Sequence, residues 1–208
     1  MALKSASKNS GLREVAERAP DRSYAGLLQQ LADADPARRR WAARDLAAHA
    51  AAAQPLVDRL LDEHDAGVVE AIFTSIETLA SPAAVAALVP LLRSDDARLR
   101  NGAIEALASM PAATAPHVDR LLADADADVR LFAVNLLADL RHPQVPAWVE
   151  QVLRTEPEAN VVAAAIEVLT EAGSTALLPA LAAAQARFAT DPFIGFAADV
   201  ARSRIGSP

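Results

Sequence analysis

The chain has 208 residues, 52% of them hydrophobic but only 4% aromatic, with a formal net charge of −7. It contains no cysteine, which excludes disulfides and thiolate-ligated zinc or iron–sulfur sites within it. The acidic balance argues against phosphate binding, because nucleic-acid contact needs a local basic excess.

Residues 1–10 are small and polar, without periodicity, and Leu12 to Ala19 reads as a short helix stopped by Pro20. Residues 1–22 are therefore expected to be a disordered or short-helix N-terminal segment. The opening Met1-Ala2-Leu3-Lys4 lacks the apolar core of a secretion signal, and no run of about 18 apolar residues follows. A cytoplasmic protein with no membrane association is the expectation. Tyr24 to Ala32, with Leu27, Leu28 and Leu31 inward, reads as the second helix of an incomplete first unit.

A repeat then sets in. Asp35, Asp65, Asp96, Asp126 and Glu158 stand at steps of 30, 31, 30 and 32 residues. Three places past each stand Arg38, Val68, Leu99, Val129 and Val161; four past, Arg39, Val69, Arg100, Arg130 and Val162. Seven past stand Ala42, Ile72, Ala103, Ala133 and Ala165; eleven past, Leu46, Ile76, Leu107, Leu137 and Leu169. Offsets of three, four, seven and eleven share one side of a helix, and the anchoring acid is a natural N-cap. First helices are predicted at about 36–49, 66–80, 97–109, 127–141 and 158–172.

Second helices are predicted at about 53–63, 82–93, 113–123, 144–154 and 174–189. Val57-Asp58-Arg59-Leu60-Leu61 recurs as Val118-Asp119-Arg120-Leu121-Leu122, each with a proline two places upstream, Pro55 and Pro116. Proline suits a first helical turn. Pro90 and Pro179 fall inside predicted helices, where a kink or an altered start is expected. The segment from Pro192 to Ile205, with Phe193 and Phe196, is expected to pack as a terminal cap. The fold class is all-α: a right-handed α-solenoid of about five helical hairpins with terminal caps. Residues 23–205 form its single domain and 206–208 a tail.

Asp126, Val129, Arg130, Ala133 and Leu137 together resemble the HEAT repeat, in particular the short bacterial type of phycobilisome-lyase-like proteins. Asp96, Leu99, Arg100, Ala103 and Leu107 carry the same pattern. Asp35 and Arg39 match, but Arg38 takes the apolar place, and Val69 and Val162 stand where arginine is expected. The resemblance spans about residues 24–190 and implies a scaffold rather than a chemistry.

Arg39, Arg100 and Arg130 fall on the inward side of their helices, and a buried guanidinium needs a partner. The anchoring aspartates of neighbouring turns are the expected partners, one rung per unit. Asp124-x-Asp126-x-Asp128 has the opening of a calcium loop, but Val129 stands where glycine is required and Asn135 where a bidentate glutamate is required. The triplet is read as helix capping. His49, His64, His117 and His142 show no metal-ligand spacing, and no nucleophile or phosphate-loop motif stands out. No catalysis, cofactor or metal is expected. Trp41 and Phe132 share the place six past their anchors and are read as packing residues.

The second helices are expected to line an inner groove. There Asp58, Asp119 and Glu150 share one column, Arg59, Arg120 and Gln151 the next, and His117 and Trp148 a third. Mixed charge with Arg and Trp anchors suits a protein partner, for example a signalling protein such as a response regulator. Two alternatives follow from the resemblance: an accessory lyase or chaperone for a tetrapyrrole-linked protein, and a DNA-binding protein of the alkylation-repeat type.

Overall fold

A computed structural model of the chain describes residues 21–172 and 174–206. The short helix expected between Leu12 and Ala19 lies outside them. Twelve α-helices are described: α1 (Tyr24–Leu31), α2 (Pro36–Leu46), α3 (Ala53–Asp62), α4 (Ala66–Leu79), α5 (Pro82–Leu88), α6 (Ala97–Ser109), α7 (Pro111–Leu122), α8 (Ala127–Asp139), α9 (Val145–Thr155), α10 (Ala159–Ala172), α11 (Leu178–Arg187) and α12 (Pro192–Gly206). Short 3₁₀ turns cover Ala50–Ala52, Val89–Arg93 and Thr175–Leu177. No strand occurs among the described residues.

Helices α2, α4, α6 and α8 each start where an aspartate oxygen accepts a backbone N–H of the first turn. Asp35 takes the N–H of Ala37, Asp65 that of Val68, Asp96 that of Arg98 and Asp126 that of Asp128, at 2.8–3.0 Å. The first helices stack in one row, α2 on α4 on α6 on α8 on α10 on α12, and the second helices form the other layer. The core lies between the two layers. Ala42, Ala103, Ala133 and Ala165, seven past their anchors, are each 0% exposed. Their small side chains let neighbouring first helices approach closely, which is why so few aromatics suffice. Gly102 serves the same end: a Cβ there would fall 2.4 Å from the ring of Phe73 on α4.

The prolines behave differently from one another. At Pro90 the second helix tightens into the 3₁₀ turn Val89–Arg93, and before Pro179 a 3₁₀ turn precedes a late start at Leu178. Pro116 departs from expectation. Helix α7 begins at Pro111, so Pro116 lies inside it and not in its first turn. The orphaned carbonyl four places upstream belongs to Ala112, which is exposed and open to water.

Helix α12 is a sixth first helix. Asp191 caps it, accepting from the N–H groups of Phe193 (2.9 Å) and Ile194 (3.2 Å), and Ile194 and Ala198 occupy the buried places three and seven past it. The cap packs through Ile194, Ala198, Ala201 and Ile205. Phe193 and Phe196, named with the segment expected to pack as a cap, take no part in that packing and are 59% and 68% exposed. The helix register turns them away from α10's core side once Ile194 and Ala198 are buried.

Candidate functional site

The place two residues before each anchor is a second repeating polar column: Asp33, Glu63, Ser94, Asp124 and Glu156. Each directs a side-chain oxygen to the backbone N–H of its anchor, at 2.8–3.2 Å. Where the column holds glutamate, its carboxylate also receives the arginine of the preceding unit. Arg39 Nε and Nη2 donate to Glu63 Oε2 and Oε1 at 2.7 and 2.8 Å, while Nη1 donates to the carbonyls of Asp33 and Ala34 at 2.9 and 3.0 Å. Arg130 repeats the arrangement on Glu156, with both contacts 2.9 Å, and on the Asp124 carbonyl at 2.8 Å.

The rungs therefore run from arginine to glutamate, not to the anchoring aspartates. One oxygen of each anchoring aspartate is already engaged by an N–H group of its own helix, and the anchor that does receive an arginine of an earlier unit, Asp126, takes Arg93 from the end of a second helix. Burial pushes the Glu63 carboxyl up, but hydrogen bonds from Arg39, the Asp65 N–H and Arg59 outweigh this and hold it at about 2. Glu156 shows the same balance: burial raises it, the Arg130 and Glu158 hydrogen bonds lower it, and the net direction is downward. The paired guanidinium of Arg39 is held above its ordinary value by Glu63, and that of Arg130 by Glu156.

Two rungs are missing from the middle. Val69 faces Ser94, so neither end carries charge. Arg100 faces Asp124, one methylene shorter than glutamate, and that carboxylate accepts from Arg93 instead. Arg100 donates to the Ser94 carbonyl at 2.8 Å and lies 4.9 Å from the centre of the Phe132 ring. Its Nε is buried with no acceptor among the described residues.

The second-helix row carries the residues proposed from sequence for partner binding. Asp58, Asp119, Arg120 and Gln151 are exposed there; Arg59, His117 and Glu150 are half-buried. Arg59 is committed to Glu63 at 3.0 Å, and Glu150 to Arg154 at 2.8 Å. Arg120 has no partner among the described residues. Trp148 is 3% exposed; its indole N–H donates to Asp119 Oδ1 at 2.8 Å and its ring stacks on His142, centroids 5.3 Å apart. The tryptophan thus holds Asp119 in place from below rather than standing on the open face.

Sequence reasoning missed Leu61. Its counterparts Leu92, Leu122 and Leu153 are buried, but Leu61 is 56% exposed. It borders a groove of about 310 Å³ shared with Asp58, Pro90 and Arg93, between α3 and the 3₁₀ turn that replaces the end of α5. The 3₁₀ turn is what sets this pair of units apart.

The model for HEAT repeats matches residues 24–108 and 114–193. The chain is a HEAT-repeat protein. A crystal structure of an engineered protein is similar to this HEAT-repeat chain over 87% of its length and 95% of that protein's, with 22% identity and a TM-score of 0.41. Computationally designed armadillo repeat proteins for modular peptide recognition are similar over 86% of this chain and 98% of theirs, with 18% identity and a TM-score of 0.43. The complex of CpcE and CpcF of phycocyanin lyase from Nostoc sp. PCC7120 is similar over 83% and 85%, with 18% identity and a TM-score of 0.37. No curated protein matches the chain.

The triplet Asp124, Asp126 and Asp128 caps the turn before α8, Asp124 accepting from Asp126 N and Asp126 from Asp128 N, both at 2.9 Å. Among the described residues no group of three or more His, Asp or Glu converges as a metal site, and no helix is long and apolar enough to cross a membrane.

Proposed function

We propose that this HEAT-repeat chain is a non-catalytic scaffold that binds a partner protein along its row of second helices. The observation that carries the reading is the exposed Leu61 beside Asp58 and a groove, in a row where Asp119, Arg120 and Gln151 continue the same face. An apolar anchor ringed by unlike charges is the composition of a protein contact. The buried pairs Arg39–Glu63 and Arg130–Glu156 are matched to one another and act on the fold.

Arg59 is unsuitable for testing this, because reversing it would strip a donor from buried Glu63. Leu61→Asp and Arg120→Glu change exposed side chains only. With the chain immobilised and a native lysate passed over it, both variants lose a captured protein that the parent retains, while helicity and melting stay unchanged. Retention of that protein by both variants overturns the reading.

A further inference from the structure

Four large hydrophobic side chains stand exposed among the described residues, and three of them, Phe193, Phe196 and Val200, lie on one stripe of α12. The repeat supplies an internal control for that stripe. Nine past their anchors, Arg44, Thr74, Glu105, Asn135 and Glu167 are all exposed and polar, and Val200 stands in the same column on α12. Five past, Arg40, Glu70 and Asn101 are polar, Leu131 and Ala163 apolar, and Phe196 takes the same place on α12. The fold thus tolerates polar residues at these positions, and neither phenylalanine is needed for packing. A groove of about 320 Å³ runs between this stripe and α10, where exposed Glu167 and Glu171 form the wall and Arg204 one end. Neither glutamate has a partner among the described residues, so the groove carries two carboxylates against one guanidinium.

We infer that the α10–α12 groove docks an amphipathic helix from a partner protein, with bulky aliphatic residues on one face and Lys or Arg along its flank. The apolar stripe, Phe193 to Val200, is about two turns long and matches side chains repeating at three and four residues on the incoming helix. Glu167 and Glu171, one turn apart on α10, face its basic flank. This surface lies on the first-helix layer and is independent of the second-helix row.

The test is fluorescence anisotropy of a labelled synthetic helix of Leu and Lys with every Leu on one face, titrated with the full chain. Binding to the parent is expected, weakening with salt. Phe196→Asp is expected to lose roughly tenfold or more of the affinity, Glu167→Gln with Glu171→Gln several-fold, and Leu61→Asp on the other layer none. Phe196 is exposed, so its substitution is expected to leave helicity intact; Phe193→Ser gives a second variant if it does not. The inference falls if a peptide of the same composition with scattered Leu binds as well, or if the phenylalanine variants bind like the parent. It falls equally if the parent sediments as a dimer that Phe196→Asp disperses, since a second copy would then fill the groove.

Discussion

Arg130 and Glu156 join the fourth repeat unit to the fifth through two parallel charge-assisted hydrogen bonds, both 2.9 Å long. Their side chains are 12% and 5% exposed. Losing one partner strands the other charge away from water, which costs more than the pair itself contributes. Glu156→Gln keeps an oxygen for the Glu158 N–H but removes the charge and sets an NH2 donor against Arg130 Nε. It is expected to lower the unfolding free energy by about 3 kcal/mol, and pairing it with Arg130→Met to recover much of that loss. Denaturant unfolding of the single and double variants measures this; strictly additive losses would refute the coupling.

The same pairing dictates the acid response. Glu63 titrates at about 2 in the folded chain against an ordinary 4.5. A carboxyl lowered by folding adds stability above its unfolded value and loses it as pH falls towards its folded one. Its contribution, roughly 3 kcal/mol at neutral pH, is therefore expected to vanish between about pH 4.5 and 2. Glu156, also lowered, acts in the same direction. Melting followed by circular dichroism is expected to show a steep loss across that window, shallower in Glu63→Gln; identical pH profiles would remove the assignment.

Arg100 offers the converse experiment. Its Nε lacks an acceptor because Asp124 is one methylene short, whereas Glu63 and Glu156 at equivalent places cap their anchors and reach their arginines. Asp124→Glu is expected to complete the rung and raise stability by about 1 kcal/mol, the gain from satisfying a buried donor. The Arg93 contact it sacrifices is half-exposed and contributes little. A drop in stability would show that the ring of Phe132 already satisfies the guanidinium.

Ala80 ends α4 with φ 41°, in the left-handed region. An alanine there is strained by its Cβ, and the side chain is exposed. Ala80→Gly is expected to raise the melting temperature, corresponding to about 1 kcal/mol of strain relieved. An unchanged or lower melting point would place the strain elsewhere.

Much of this was legible in the residues. The anchor column, the alanines seven past it and the leucines eleven past it report a helix period, and the period sets which side is buried. The glutamate rungs had a signal too: Val69, which needs no partner, is followed by Ser94, which supplies none, while Arg39 and Arg130 are each followed by a glutamate. The aspartates drew attention because they stand out as a motif, but reach across a layer depends on side-chain length and on which N–H groups compete for the oxygens. Leu61 had no signal: it stands in the same column as Leu92, Leu122 and Leu153, which are buried.

By itself the amino-acid order determined an all-helical stack of hairpins, most of their boundaries to within a turn (the helices holding Pro90 and Pro179 excepted), and the inward direction of the arginines, because helical periodicity is a local property. Only the tertiary structure decided which carboxylate meets which guanidinium, that Trp148 supports Asp119 from beneath, and that Phe193 and Phe196 face outward. Those outcomes depend on how neighbouring units are rotated against each other, and that rotation is set by packing between residues some thirty positions apart.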